Sequence, residues 1–286
     1  MDELYKRISE ETKYVLYQYM KDNYISLLNY NFNYFFHYCI QKNRIQVISH
    51  HFSNHKIEGL TVIDKLGISF SFEIDSPIVR QNFTLCHELG HFILKHDGNC
   101  FAESIDNQKN LLEREANVFS AVVLMPDIVL LSKIYYSGET FQHVQNSLEV
   151  SKQAFSFRLL DFLRNYYPGK ERQIKQAISR YINGKNASLI FLFHNIKERI
   201  IEEFNHFQPS FVSQIRQCVS QTGFTTSQEY PELLNQENWD VIKESSSNLK
   251  TWLVYNKGKS IAYVWDKEKL SDEEAKKKAE SQLLLM

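Results

Sequence analysis

The sequence predicts an α+β protein: a mostly helical core with a small antiparallel sheet, followed by a C-terminal α+β unit. Three observations predict it. Gly and Pro are scarce, 9 and 5 in 286 residues, which favours long helices. Ile68, Phe70, Phe72 and Ile74 alternate with polar residues, the period of a half-buried strand. Elsewhere apolar residues recur at helical spacing between clear stops, and the pattern changes beyond Gly184.

The elements follow in order. Residues 3–42 read as helical, with Leu4, Ile8, Leu16, Met20 and Leu27 near one face. RIQVISHHF (44–52), IEGLTVID (57–64) and GISFSFEID (67–75) read as strands of one small antiparallel sheet. Asp75-Ser76-Pro77 predicts a helix start with proline at the first helical position, and Asp97-Gly98 a stop after about Lys95. A second helix over NLLEREANVFSAVVLM ends at Pro126. Residues 127–184 read as short helices with a turn near Ser151. Beyond them SLIFLFHN reads as a strand and IKERIIEEFNHF as a helix. NLKTWLVYN and KSIAYVW form a hairpin across Lys257-Gly258, and DEEAKKKAESQLLL closes the chain as a helix. The expected domains are 1–126, 127–184 and 185–286, the last a sensor or substrate-docking unit.

Composition narrows the function classes. Lys+Arg 33 against Asp+Glu 34 gives a net charge of −1, so no global field draws the chain to nucleic acid or an acidic membrane. Cys39, Cys86, Cys100 and Cys218 form no C-x-x-C pair, which fits a reducing compartment. The first twenty residues are charged throughout, unlike a signal peptide, and no run of eighteen apolar residues occurs. The expected location is cytoplasmic.

FTLCHELGHFILKH (83–96) carries the chemistry. On a helix His87 and His91 share a face and can reach one ion. Glu88, rotated by about 100°, can serve as a base beside it. Zinc takes imidazole nitrogen and carboxylate oxygen, and a catalytic site keeps one position open. A third ligand in the form H-E-x-x-H-x-x-G-x-x-H fails, because Leu94 and Asp97 stand where glycine and histidine are needed. A glutamate on the next helix remains. Glu113 is preferred, since it shares its face with Ala116, Asn117 and Ser120, small or polar residues that let helices approach; Asn117 would then orient a ligand histidine. Glu115 competes, but sits in a greasy stripe of Leu111, Phe119 and Val122. His96 reads as a helix-end residue, His50, His51 and His55 as surface loop, and Cys86 as a buried apolar residue.

FTLCHELGHFILKH followed by EREANVFSAVVLMP (113–126) resembles the ImmA/IrrE family of intracellular metallopeptidases. VSKQAFSFRL (150–159) resembles the short helix-turn-helix that follows the peptidase core in that family. The resemblance covers roughly residues 44–166. It implies a zincin-like, gluzincin-type site in which His87, His91 and Glu113 hold zinc and Glu88 is the catalytic base. It also implies site-specific cleavage of a repressor-type, helix-turn-helix transcription factor in a mobile element or stress response.

Within that reading the strands at 57–74 would offer an edge to an extended substrate, and Tyr135, Tyr136 and His96 are candidate oxyanion donors. Two other functions compete. One is a metal-containing regulatory module that sequesters a partner protein without cleaving it; a base at Glu88 argues against that. The other is DNA contact through residues 151–183, where Lys152, Arg158, Arg164, Lys170, Arg172, Lys175 and Arg180 outnumber Asp161 and Glu171. A solvated helical face ranks above DNA for that segment.

Overall fold

The aromatic N-terminal stretch folds as two helices, α1 (Glu3–Asp22) and α2 (Phe32–Asn43). Tyr24 takes a left-handed φ of 50°, which ends α1, and the Asn31 side chain accepts from the Asn33 N–H (2.9 Å) to start α2. The computed structural model describes residues 3–51, 57–65, 67–96, 100–104 and 111–285.

Strands β1 (Ile45–His50), β2 (Ile57–Asp64), β3 (Gly67–Glu73) and β4 (Cys100–Ser104) form one sheet in the order β1-β3-β2-β4. The sheet is mixed, not antiparallel as expected, because β1 pairs parallel with β3. The tight β2–β3 hairpin fills one side of β3 and leaves the other for β1. Alternation fixes which face of a strand is buried, not which neighbour it takes. The order also corrects the expected substrate edge. Both β2 and β3 are interior, and among the described residues β1 and β4 are the edges.

Helix α3 (Ile78–Ile93) carries the histidine motif. Pro77 is its N-cap residue rather than its first helical residue, and no side chain caps it. Gln81 instead reaches back to donate to the carbonyls of Ser76 (2.7 Å) and Ile74 (2.9 Å). At the other end Lys95, with a left-handed φ of 55°, turns the chain; the expected stop at Asp97-Gly98 lies outside the described residues. Helix α4 (Leu111–Leu124) packs along α3. A Cβ on Gly90 would sit 3.0 Å from the Phe119 ring and 3.3 Å from the Ala116 backbone, so glycine in HELGH sets the helix spacing. That spacing brings Glu113 within reach of His87.

The chain continues through α5 (Asp127–Leu130), a π-helical turn (Leu131–Tyr136), α6 (Phe141–Ser147), α7 (Lys152–Tyr166), α8 (Glu171–Ile182) and α9 (Ala187–Asn205). Thr140 and Ser151 cap α6 and α7 with their hydroxyls. The strand expected over SLIFLFHN is the first half of α9. Leu189, Phe193, Ile196 and Ile200 are buried at helical spacing, a period that the short apolar run conceals when read alone. Arg158 of the supposed basic patch is also buried, and Arg164 pairs with Glu171 (2.7 Å), so the surface charge is smaller than the sequence suggested.

The chain forms two compact units, Met1–Met20 with Tyr24–Phe207, and Lys21–Asn23 with Gln208–Met286. The break falls after Phe207 rather than at 184, because α9 supplies Phe193 and Ile196 to the first core. The second unit holds α10 (Phe211–Thr222), β5 (Phe224–Thr226), α11 (Glu237–Ser245), the predicted hairpin β6 (Leu249–Asn256) and β7 (Lys259–Asp266), and α12 (Asp272–Leu285). Its antiparallel sheet runs β5-β7-β6, with one apolar cluster around Ile215, Val219 and Ile242 and another around Ala275, Ala279 and Leu283. The stretch Leu111–Tyr136 has the length and hydropathy to cross a membrane, but 78% of its apolar window is buried in the protein.

Candidate metal centre

His87 and His91 stand one turn apart on α3, with their rings edge to face at 4.8 Å between centroids. Glu113 enters from α4. Its Oε2 lies 3.0 Å from His87 Nε2, its Oε1 lies 3.6 Å from His91 Nε2, and the two Nε2 atoms are 3.0 Å apart. Ligand atoms of all three residues lie within 4.8 Å of one another, and all three side chains are buried. This group could hold a metal ion.

Protons decide what the group can bind. Asn117, one turn beyond Glu113, presents Oδ1 to His87 Nδ1 at 3.1 Å. An amide oxygen only accepts, so His87 Nδ1 carries the proton and Nε2 offers a lone pair to the centre. Burial, with His87 and His96 beside it, pushes the His91 imidazole down to about 3, so His91 is neutral at pH 7. Its one proton faces two nitrogen partners, His87 Nε2 and, at 2.8 Å, His96 Nδ1.

Glu88 points toward the sheet. Thr61 on β2 donates its hydroxyl to Glu88 Oε2 at 2.5 Å, and both residues are fully buried. Two residues earlier on the same strand, a Cβ at Gly59 would stand 2.5 Å from Glu88 Oε1 and from Thr84 Cγ2. Strand β2 thus lies against the carboxylate, and glycine leaves it room.

The remaining candidates fall elsewhere. Glu115, two residues from Glu113 and turned by about 200°, pairs with Arg7 and with His96 rather than with the cluster. His96 is no simple helix-end residue: it bridges His91 and Glu115. The Tyr135 hydroxyl meets His194 Nδ1 at 2.8 Å, and Tyr136 is 60% exposed. His51 pairs with Asp75 (2.9 Å), both exposed, beside the buried Glu73, and His55 lies outside the described residues. Cys86 is buried, and burial pushes its thiol up, away from the thiolate a nucleophile needs. Gly59, Thr61 and Arg7 went unnoticed in the sequence. The only available signal was Gly59-x-Thr61, two small residues on one face of a strand.

Residues 75–160 match the Peptidase_M78 family, the IrrE N-terminal-like domain. The Peptidase_M78 segment begins at the turn before α3, ends within α7, and contains His87, Glu88, His91, Glu113 and Asn117. A metallopeptidase family and a buried two-histidine, one-glutamate group therefore coincide in the same stretch. No match to a curated protein was found.

Proposed function

We propose that the protein is a zinc-dependent endopeptidase, with His87, His91 and Glu113 holding the ion and Glu88 acting as the base. The convergence of two imidazole nitrogens and a carboxylate carries the reading. Donors on a tetrahedron with bonds of about 2.1 Å stand about 3.4 Å apart; the separations here are 3.0, 3.0 and 3.6 Å. Calcium and magnesium prefer all-oxygen sites, whereas two neutral nitrogens and one carboxylate suit zinc. When bound, the ion supplies a Lewis acid that polarises a peptide carbonyl and acidifies water. Glu88 takes the proton of the attacking water and delivers it to the leaving amine. Thr61 holds the Glu88 carboxylate in one orientation for both transfers.

The family resemblance supports a repressor-type regulator in the cytoplasm as substrate. An extended substrate segment would add beside β4, the edge strand next to β2 among the described residues, and gain main-chain hydrogen bonds there.

Three expected results test the reading. Glu113→Ala loses bound zinc by elemental analysis, and Asn117→Ala weakens zinc affinity about 10- to 100-fold by freeing the His87 ring. Full zinc retention in Glu113→Ala would remove it from the ligand set. Thr61→Val keeps zinc but lowers kcat on a helix-turn-helix repressor substrate roughly 10- to 100-fold, the worth of one hydrogen bond to a charged group. An unchanged kcat would show that the base needs no support from β2.

A further inference from the structure

We propose that Arg7, Glu115 and His96 form a positioning relay that sets which nitrogen of His91 faces the metal. The inference rests on the zinc reading above, and it gives the N-terminal helix a part in the centre.

Taken alone, His91 could carry its proton on either nitrogen. The relay decides between them. Glu115 Oε2 lies 3.0 Å from His96 Nε2, and a carboxylate only accepts, so His96 Nε2 carries that proton. The relay gives His96 Nδ1, which faces His91 Nδ1 at 2.8 Å, the acceptor's part. The proton of His91 must sit on Nδ1, and its Nε2 is left bare toward His87 and Glu113. The opposite tautomer would aim an N–H into the centre and oppose a cation there.

The geometry is built for this contact. Five residues past His91, a continuing helix would carry His96 about 140° around the axis. The left-handed φ of 55° at Lys95 swings it back, so that the His91 and His96 rings meet at 4.9 Å between centroids. A lysine held in that region is strained, and such strain persists where the surroundings enforce it. The His96 and Glu115 side chains are only 4% and 8% exposed, so both hydrogen bonds are largely shielded from solvent. Arg7 on α1 closes the chain from the half-exposed side by donating to Glu115 Oε1.

Zinc dissociation constants of the full-length protein, measured by chelator competition at fixed pH, test the relay without using proteolysis. His96→Ala is expected to bind zinc about 10- to 100-fold more weakly, the usual cost of removing a group that orients a ligand histidine. His96→Asn should stay close to wild type, because its Oδ1 can stand near the lost Nδ1 and accept from His91. Glu115→Ala reads the relay from the far end and should also bind more weakly. Arg7→Ala should lose least, since its ion pair is half solvated. If His96→Ala binds zinc as tightly as wild type, the relay is overturned and the three-ligand centre stands. If His96→Asn falls as far as His96→Ala, His96 acts by packing alone, and the relay is again overturned. A wild-type chain that takes up no zinc overturns the centre and the relay together.

Discussion

Glu88→Gln is expected to silence proteolysis while the zinc content stays at one equivalent. The two side chains have the same length and shape, and the glutamine oxygen can still accept from Thr61 in place of Glu88 Oε2. None of the residues that converge on the proposed ion changes. What disappears is the group that takes and returns a proton, a contribution of about 10²- to 10⁴-fold in rate. The measurement pairs elemental analysis with cleavage of a helix-turn-helix repressor substrate by purified protein. A variant that cuts at the wild-type rate would show that the base lies elsewhere. The same pair of measurements separates a peptidase from a sequestering module. A module that only binds its partner would keep it equally well with either residue, and the wild-type protein would leave the partner intact.

The centre was legible in the sequence where its geometry is local. His87, Glu88 and His91 lie within one helical turn, so their spacing fixes their mutual placement. Glu113 and Asn117 are one turn apart on the next helix, and Gly90 against Ala116 and Phe119 explains why the two helices can share the group. What escaped notice depends on geometry that no spacing encodes. Thr61 meets Glu88 across 27 residues, through a strand register that sequence alternation leaves open. His96 returns to His91 because of one backbone angle at Lys95. The strand reading of SLIFLFHN failed for a related reason: eight mostly apolar residues have no resolvable period until Ile196 and Ile200 extend them. Arg158 counted as surface charge because nothing local announces its buried partner, Asp127.

That partner makes the largest expected stability effect. Asp127, at the start of α5, receives Lys13 of α1 at 2.5 Å and Arg158 of α7, all three buried. Arg158 also donates to the Ala121 and Met125 carbonyls at the end of α4 (3.1 Å each) and to the Tyr5 hydroxyl (2.8 Å). Lys13 has a second carboxylate in Glu203 at 2.8 Å, but Arg158 depends on Asp127 for its countercharge. Asp127→Ala therefore strands a buried guanidinium, at an expected cost of about 3–5 kcal/mol. Urea unfolding of the full chain at pH 7 should show it as a lower midpoint with an unchanged slope. A loss below about 1 kcal/mol, the worth of a solvated pair, would mean that water reaches the network. Acid supplies a second check. Burial alone would raise the Asp127 carboxyl, but Lys13 and Arg158 outweigh burial and hold it below the ordinary aspartate range. A depressed folded value gives stabilisation that is complete above the unfolded value, about 4, and fades as pH falls through the folded one. The gap between wild type and Asp127→Ala should thus be constant near neutrality and narrow only in acid, below about pH 4. A gap that narrows already between pH 7 and 5 would place the titrating group outside this network.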